Sequence, residues 1–236
     1  YWEWNDLEQA RAYAQQEIEL ARSGNMLLAL ADGYLKLAAA TAAQGDENGA
    51  RTALQLARET AVQLQSAPLL AQIALHQARH ELAWGNLAAA GAWAKQFARQ
   101  RRDGSCGLTP LLAQTANLLL ARIWLAQGHT AKGLEPLQEI TEPLEASGRI
   151  RLMAEAHLLR ALAWAAQQQP AAAQKALSHA LALGEPEGYV RLFVENGLPL
   201  VPLLNQVRQQ FPDYVTRLLD AFPANVPPEA AASLLL

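Results

Sequence analysis

The chain of 236 residues carries 19 basic and 22 acidic side chains, a net charge of −3, and is 51% hydrophobic, chiefly through Ala and Leu with few β-branched residues. That composition is ample for a core and favours helix over strand. It speaks against direct nucleic-acid binding, since no basic run exceeds Arg101-Arg102 flanked by Arg99. A single cysteine, Cys106, excludes an intrachain disulfide and predicts a reducing, cytoplasmic setting. No basic-then-apolar signal segment opens the chain, and no charge-free apolar run approaches the roughly 18 residues that a membrane span needs.

In chain order, a turn signal followed by an amphipathic segment recurs at Asn5 in "WNDLEQA", Gly45 in "QGDENGA", Gly85 in "WGNLAAA", Gly128 in "QGHTAKG" and Gln168 in "QQQPAAA", at spacings of 40, 40, 43 and 40 residues. A fixed period of about 20 to 50 residues marks an array in which each unit buries its apolar face on the next. A helix-turn-helix unit fits this length. Five residues after each marker stands a small residue, Ala10, Ala50, Ala90, Gly133 or Ala173, as expected where the second helix of a pair crosses close to the first.

The first helices, read back from the marker, present Ala31, Leu35, Ala38 and Ala42, then Ala71, Leu75, Ala78 and Leu82. The next two present Gln114, Leu118, Ala121 and Leu125, then Ala154, Leu158, Ala161 and Ala165. Steps of 4, 3 and 4 trace one helix face, so these are the predicted packing faces, with Gln114 as the exception. Pro68 and Pro110 stand near helix starts, and Gly24, Gly104, Gly107 and Gly148 fall between units. After Leu183 the period is lost. The expected organisation is an all-α superhelical array of antiparallel helix pairs over residues 1–222, with 183–222 as terminal capping helices and 223–236 as a linker. Because the chain opens at "YWEW" without Met and runs out in "PPEAAASLLL", it reads as a piece of a longer protein.

The turn glycine with small residues seven before and five after it resembles the tetratricopeptide pattern, stretched beyond that motif's usual period of about 34 residues. The Ala-Leu-Gln composition and above all "LSHALALGEPEGYVRLFVENGLPLVPLL" resemble the end of the helical sensor domain of MalT-type LuxR-family regulators. The resemblance implies that the array receives a small-molecule inducer or a regulatory protein and relays it to an N-terminal ATPase switch and a C-terminal helix-turn-helix DNA reader. Neither module is written here, for the G-x-x-x-x-G-K-[ST] phosphate loop is absent. ATP is therefore a cofactor expected of the missing N-terminal module and not of these residues.

Apart from the resemblance, a groove lined by the first helices predicts ligand contacts at positions next to the packing face: Asp32, Gln72, Thr115 and Glu155, with Arg79 and Arg122 seven positions nearer the marker. Two guanidinium donors and a carboxylate acceptor would suit a hydroxylated or charged ligand, whereas a solvated helix face would write the same letters. His76 and His80 have the i, i+4 spacing of a metal pair, but "HQARHE" carries Gln77 where a zinc protease has its general base, and no third ligand is evident, so neither a metal site nor catalysis is expected. Trp124 and Trp164 each stand four before a marker and read as repeat packing positions, while Trp2 and Trp4 read as a surface that a neighbouring domain covers. Cys106 reads as an unpaired loop thiol. The rival to the regulator reading is a tetratricopeptide scaffold for a protein or peptide with no inducer.

Overall fold

The computed structural model describes residues 1–104 and 108–222; the expected linker at 223–236 and Cys106 lie outside them. Thirteen helices and no strand occur among the described residues, which form the expected all-α repeat array. Two compact units divide the chain, residues 1–112 and 113–236.

The period has a finer structure than forty. Left-handed residues recur at Asn5, Asn25, Gly45, Gln65, Gly85, Gly104, Gly128, Gly148 and Gln168, at intervals of 20, 20, 20, 20, 19, 24, 20 and 20 residues. Seven of these turns close in the same way: the next backbone N–H reaches back five residues, Asp6 to Tyr1 O at 3.1 Å, Met26 to Ala21 O at 2.8 Å, Asp46 to Thr41 O at 3.0 Å, Ser66 to Ala61 O at 3.1 Å, Asn86 to Glu81 O at 2.8 Å, His129 to Trp124 O at 2.8 Å and Gln169 to Trp164 O at 2.9 Å. This is the Schellman closure, which satisfies carbonyls that the helix end would otherwise strand. At four of the turns the same following residue caps the next helix, with Asp6 accepting from Gln9 N at 3.1 Å, Asp46 from Gly49 N at 2.8 Å, Ser66 from Leu69 N at 3.4 Å and Asn86 from Ala89 N at 3.2 Å. One left-handed residue and one cap thus suffice to reverse the chain.

The first unit holds α1 (Leu7–Ser23), α2 (Leu27–Ala43), α3 (Glu47–Gln63), α4 (Ala67–Ala83) and α5 (Leu87–Arg102). Consecutive helices pack as antiparallel neighbours, and α2 also meets α4, the first helix of the next pair. Ala31, Leu35, Ala38, Ala53, Ala57, Leu69 and Ile73 form the core between them. Asn25, not Gly24, adopts the left-handed conformation at the first inter-pair turn.

The second unit holds α6 (Pro110–Ala126), α7 (Thr130–Glu139), α8 (Thr141–Ser147), α9 (Ile150–Ala166) and α10 (Pro170–Gly184), then three short helices, α11 (Arg191–Val194), α12 (Leu200–Val207) and α13 (Pro212–Asp220). The second helix of its first pair is broken into α7 and α8, because Pro136 and Pro143 lack the N–H groups that would continue the ladder. Arg160 of α9 mends the break, donating to Leu137 O at 2.9 Å and to Thr141 Oγ1, while the Thr141 hydroxyl donates to Leu137 O at 2.8 Å. At Gly133 a β-carbon would come within 2.8 Å of Leu125, so the small residue of this repeat position is required by close helix approach. The terminal helices close on α10 through Phe193, Leu200, Leu203, Leu204, Tyr214, Val215 and Leu218. Tyr214 stands edge-on to Phe193 and donates to Tyr189 O at 2.5 Å.

The predicted packing faces are buried at Ala31, Leu35, Ala38, Leu75, Ala78, Leu118, Ala121, Ala154, Leu158 and Ala161. Ala42, Ala71, Leu82, Leu125 and Ala165 of these faces are half-buried. The exception at Gln114 is buried too, and its amide oxygen accepts from the Arg149 guanidinium.

A residue with a β-carbon costs about 1 to 2 kcal/mol in the left-handed region. Replacing Gln168 (φ 57°) by Gly is therefore expected to stabilise the chain, by about 1 kcal/mol after the extra unfolded-state entropy of glycine. A rise in the urea midpoint at constant m-value checks this; an unchanged or lower midpoint contradicts it.

Candidate functional site

The six sequence-derived candidates divide between the units, Asp32, Gln72 and Arg79 in the first and Thr115, Arg122 and Glu155 in the second. In the first unit, Asp32 is engaged on its own helix by Lys36 at 2.7 Å, and Lys36 also bridges to Glu17 of α1 at 2.8 Å. Burial lowers the Lys36 ammonium, but hydrogen bonds to Asp32 and Glu17 outweigh it and hold the group above its ordinary value. Gln72 and Arg79 are half-buried on α4.

A second polar group in this unit escaped the sequence reading. Glu81, buried at the end of α4, accepts from Arg51 of α3 at 2.7 Å and from Asn86 Nδ2 at 2.8 Å. The bond from Arg51 is the main cause that lowers the Glu81 carboxyl, against burial, which raises it. The Arg51 guanidinium lies 4.3 Å from the centroid of the Trp84 ring, and Trp84 stacks on His80 at 5.5 Å. Here charge pairing, cation–π attraction and the Asn86 helix cap are tied into one joint.

In the second unit Arg122 and Glu155 do meet. Arg122 donates to Glu155 Oε1 at 2.7 Å, joining α6 to α9, and Glu155 Oε2 accepts from Arg151 at 3.1 Å. The arrangement continues beyond the predicted pair: Arg122 faces Glu195 at 3.7 Å, and Arg191 Nε donates to Glu195 Oε1 at 3.3 Å. Five alternating charges therefore run from α9 through α6 to α11 and its C-cap residue, mostly out of solvent. Thr115 sits half-buried on α6. Glu195 lies beyond the loss of the repeat period, so no register argument reached it.

The histidine pair on α4 splits in environment. His80 is buried against Trp84, whereas His76 is open at its edge yet closely surrounded by protein, and burial, with Arg79 and His80 beside it, lowers it to about 3. In the second unit His157 meets His179 edge to face at 5.2 Å; burial, then Arg160 and His179, lower His157 to about 4. Among the described residues no group of three or more His, Cys, Asp or Glu side chains is placed to hold a metal ion, and no helix is long and apolar enough to cross a membrane. Trp164 packs between the two cores of its unit, the role its repeat position predicted, while Trp4 is exposed, edge-on to Tyr1 at 5.9 Å.

Antiparallel helix pairs with a small residue at each crossing and a left-handed turn every twenty residues define a protein of the tetratricopeptide-like repeat class. Within that class, a family model described as the MalT-like TPR region matches residues 1–210, and the chain belongs to that family. Its helical array is thus the interaction domain of a MalT type of protein. No curated protein and no solved structure matches the chain.

Truncating Arg122 to Ala strips two buried carboxylates of their shared partner. The expected cost is about 3 to 5 kcal/mol, read as a fall in the urea midpoint; a loss below 1 kcal/mol would show that the pairs contribute little. The histidines set an acid dependence. Their folded values lie below the unfolded one, so between about pH 6.5 and 4 the unfolded chain takes up protons that the native chain refuses, and stability falls as pH drops. Each contributes a slope of up to about 1.4 kcal/mol per pH unit. The variant with His76→Gln and His157→Gln is expected to flatten urea midpoints across that window, and a slope equal to wild type refutes the assignment.

Proposed function

We propose that the chain is the sensor and coupling domain of a bacterial LuxR-family transcriptional regulator, which binds an inducer or regulatory protein and relays the event to ATPase and helix-turn-helix modules of the full-length protein. Membership of the MalT-like TPR region family over residues 1–210 carries this reading. The buried charges around Arg122 and Glu155 support a polar recognition centre in the second unit, with Thr115 half-buried on the same helix as Arg122. Asp32, Gln72 and Arg79 are the corresponding contacts proposed for the first unit. A ligand acts here by differential affinity: it shifts the array between two states only by as much as it binds one better than the other. ATP chemistry and DNA contact belong to the other modules, and the working compartment is the cytoplasm.

The test uses the full-length protein with Arg79→Gln and Arg122→Lys, the second keeping the charge while losing the planar fork. The inducer concentration giving half-maximal transcription is expected to rise about tenfold, a loss of about 1.4 kcal/mol of binding, with helicity unchanged. An unaltered response removes these residues from the site. A thermal shift with peptides and none across sugars, amino acids and aromatic metabolites replaces the inducer reading with a protein-binding scaffold.

A further inference from the structure

The turn at Asn5 is bonded as the turn between α4 and α5 is. Asp6 N reaches Tyr1 O at 3.1 Å and Asn5 N reaches Trp2 O at 3.0 Å, just as Asn86 N reaches Glu81 O at 2.8 Å and Gly85 N reaches Leu82 O at 3.0 Å. Asn5 and Gly85 are both left-handed, Trp4 and Trp84 precede them, and Asp6 and Asn86 each cap the helix that follows. A Schellman closure takes its acceptors from the last turn of a helix, so residues 1–4 have the bonding of the final turn of a first helix.

The helix that follows has a face to match. In α3, the positions 5, 8, 12 and 15 after the marker, Ala50, Ala53, Ala57 and Thr60, are buried. Ala53 and Ala57 share a core there with Ala31, Leu35 and Ala38 of α2, the first helix of that pair. The corresponding Ala173, Ala176 and Ala180 of α10 are buried with Ala154, Leu158 and Ala161 of α9. In α1 these four positions are Ala10, Tyr13, Glu17 and Leu20, and Tyr13 is 51% and Leu20 66% exposed. The neighbouring face of α1, Ala14, Ile18 and Ala21, is buried, with Ile18 in the core that α2 shares. Thus α1 is covered on the side of the next pair and open on the side where a second helix meets its own first helix. Tyr1 already lies over the open side, its ring stacked on Tyr13 at 5.0 Å.

We infer that Ala10, Tyr13 and Leu20 form the docking face for an α-helix that runs directly into Tyr1, the first helix of a pair whose second helix is α1. Its chemistry follows from the other pairs. The first helices α2, α4 and α9 are each 17 residues long, with Ala and Leu at steps of 4, 3 and 4 on the packed side. The pair of α4 and α5 is the nearest template, because α5 carries an aromatic residue, Trp93, at the position of Tyr13. A second copy of the chain is the weaker occupant, since Tyr1 and its turn already take one end of the face in the manner of an intrachain pair. The inference does not depend on the sensor reading. Its consequence is mechanical: hydrogen bonds fix the turn, so the direction of the docked helix is fixed against α1.

The test is amide hydrogen exchange on the full-length protein and on the chain that starts at Tyr1. In the full-length protein the segment entering Tyr1 is expected to be protected as a helix, and the amides of α1 to exchange at least about tenfold more slowly than in the shorter chain. The double variant with Tyr13→Gln and Leu20→Gln separates this helix from any other cover. Both positions face solvent in the shorter chain, so its urea midpoint is expected to stay at the wild-type value, whereas in the full-length protein α1 and the entering segment should both lose protection. The inference is overturned if the segment ahead of Tyr1 exchanges at random-coil rates, if α1 exchanges equally in the two proteins, or if the double variant loosens neither element of the full-length protein. It is equally overturned if sedimentation of the shorter chain shows a dimer that the double variant dissociates and the full-length protein retains, for then the face belongs to a second copy.

Discussion

The rest of the architecture depends on a two-residue reversal: one residue in the left-handed region followed by one that caps the next helix. Because the closing N–H reaches back five residues, the exit direction of the chain is set by hydrogen bonds and not by the length of a loop. The next helix then starts at a fixed angle and must lay an apolar face on its predecessor within a turn or two. That is why alanine dominates the crossings. Ala50, Ala90 and Ala173 are fully buried at the same repeat position, and Gly133 stands where even a methyl group would strike Leu125.

Close helices leave little room for water, and several of the polar side chains that remain among them are paired across elements. Glu81 with Arg51 and Asn86, Gln114 with Arg149, and Arg160 with the broken end of α7 are cases where a polar group joins two elements. Such pairs contribute modest net stability, since the cost of desolvating the charges offsets much of their attraction, whereas removing one partner alone is costly. Arg122, Glu155 and Glu195 extend the same logic to three elements.

Much of this was legible in the letters. Glycine at Gly45, Gly85 and Gly128 announced the period, and steps of 4, 3 and 4 picked out Ala31, Leu35 and Ala38 as core. The half-period was hidden because Asn25 and Gln65 adopt the left-handed conformation without being glycine, and Gly24 beside Asn25 drew the eye to a residue that does not. Gln114 looked like a flaw in an apolar face because its partner, Arg149, lies 35 residues away. The pairing of Arg122 with Glu155 followed from shared register, yet Glu195 could not, since it sits in α11's aperiodic surroundings and reaches Arg122 only through tertiary packing. Periodicity identifies which face a residue is on; it says nothing of what arrives at that face from outside the repeat.

The uniform turns also bear on how this chain can change in length. A connection of three residues, as from α1 to α2 or α4 to α5, has none to spare, and an insertion there would break the hydrogen bond that aims the next helix. The interval from Gly104 to Gly128 alone departs upward from the norm, at 24 residues, with the surplus ahead of Pro110 where α6 begins. Length variation between relatives, and any tag or reporter domain grafted into the protein, should therefore be accommodated between α5 and α6 and rejected at the three-residue joints.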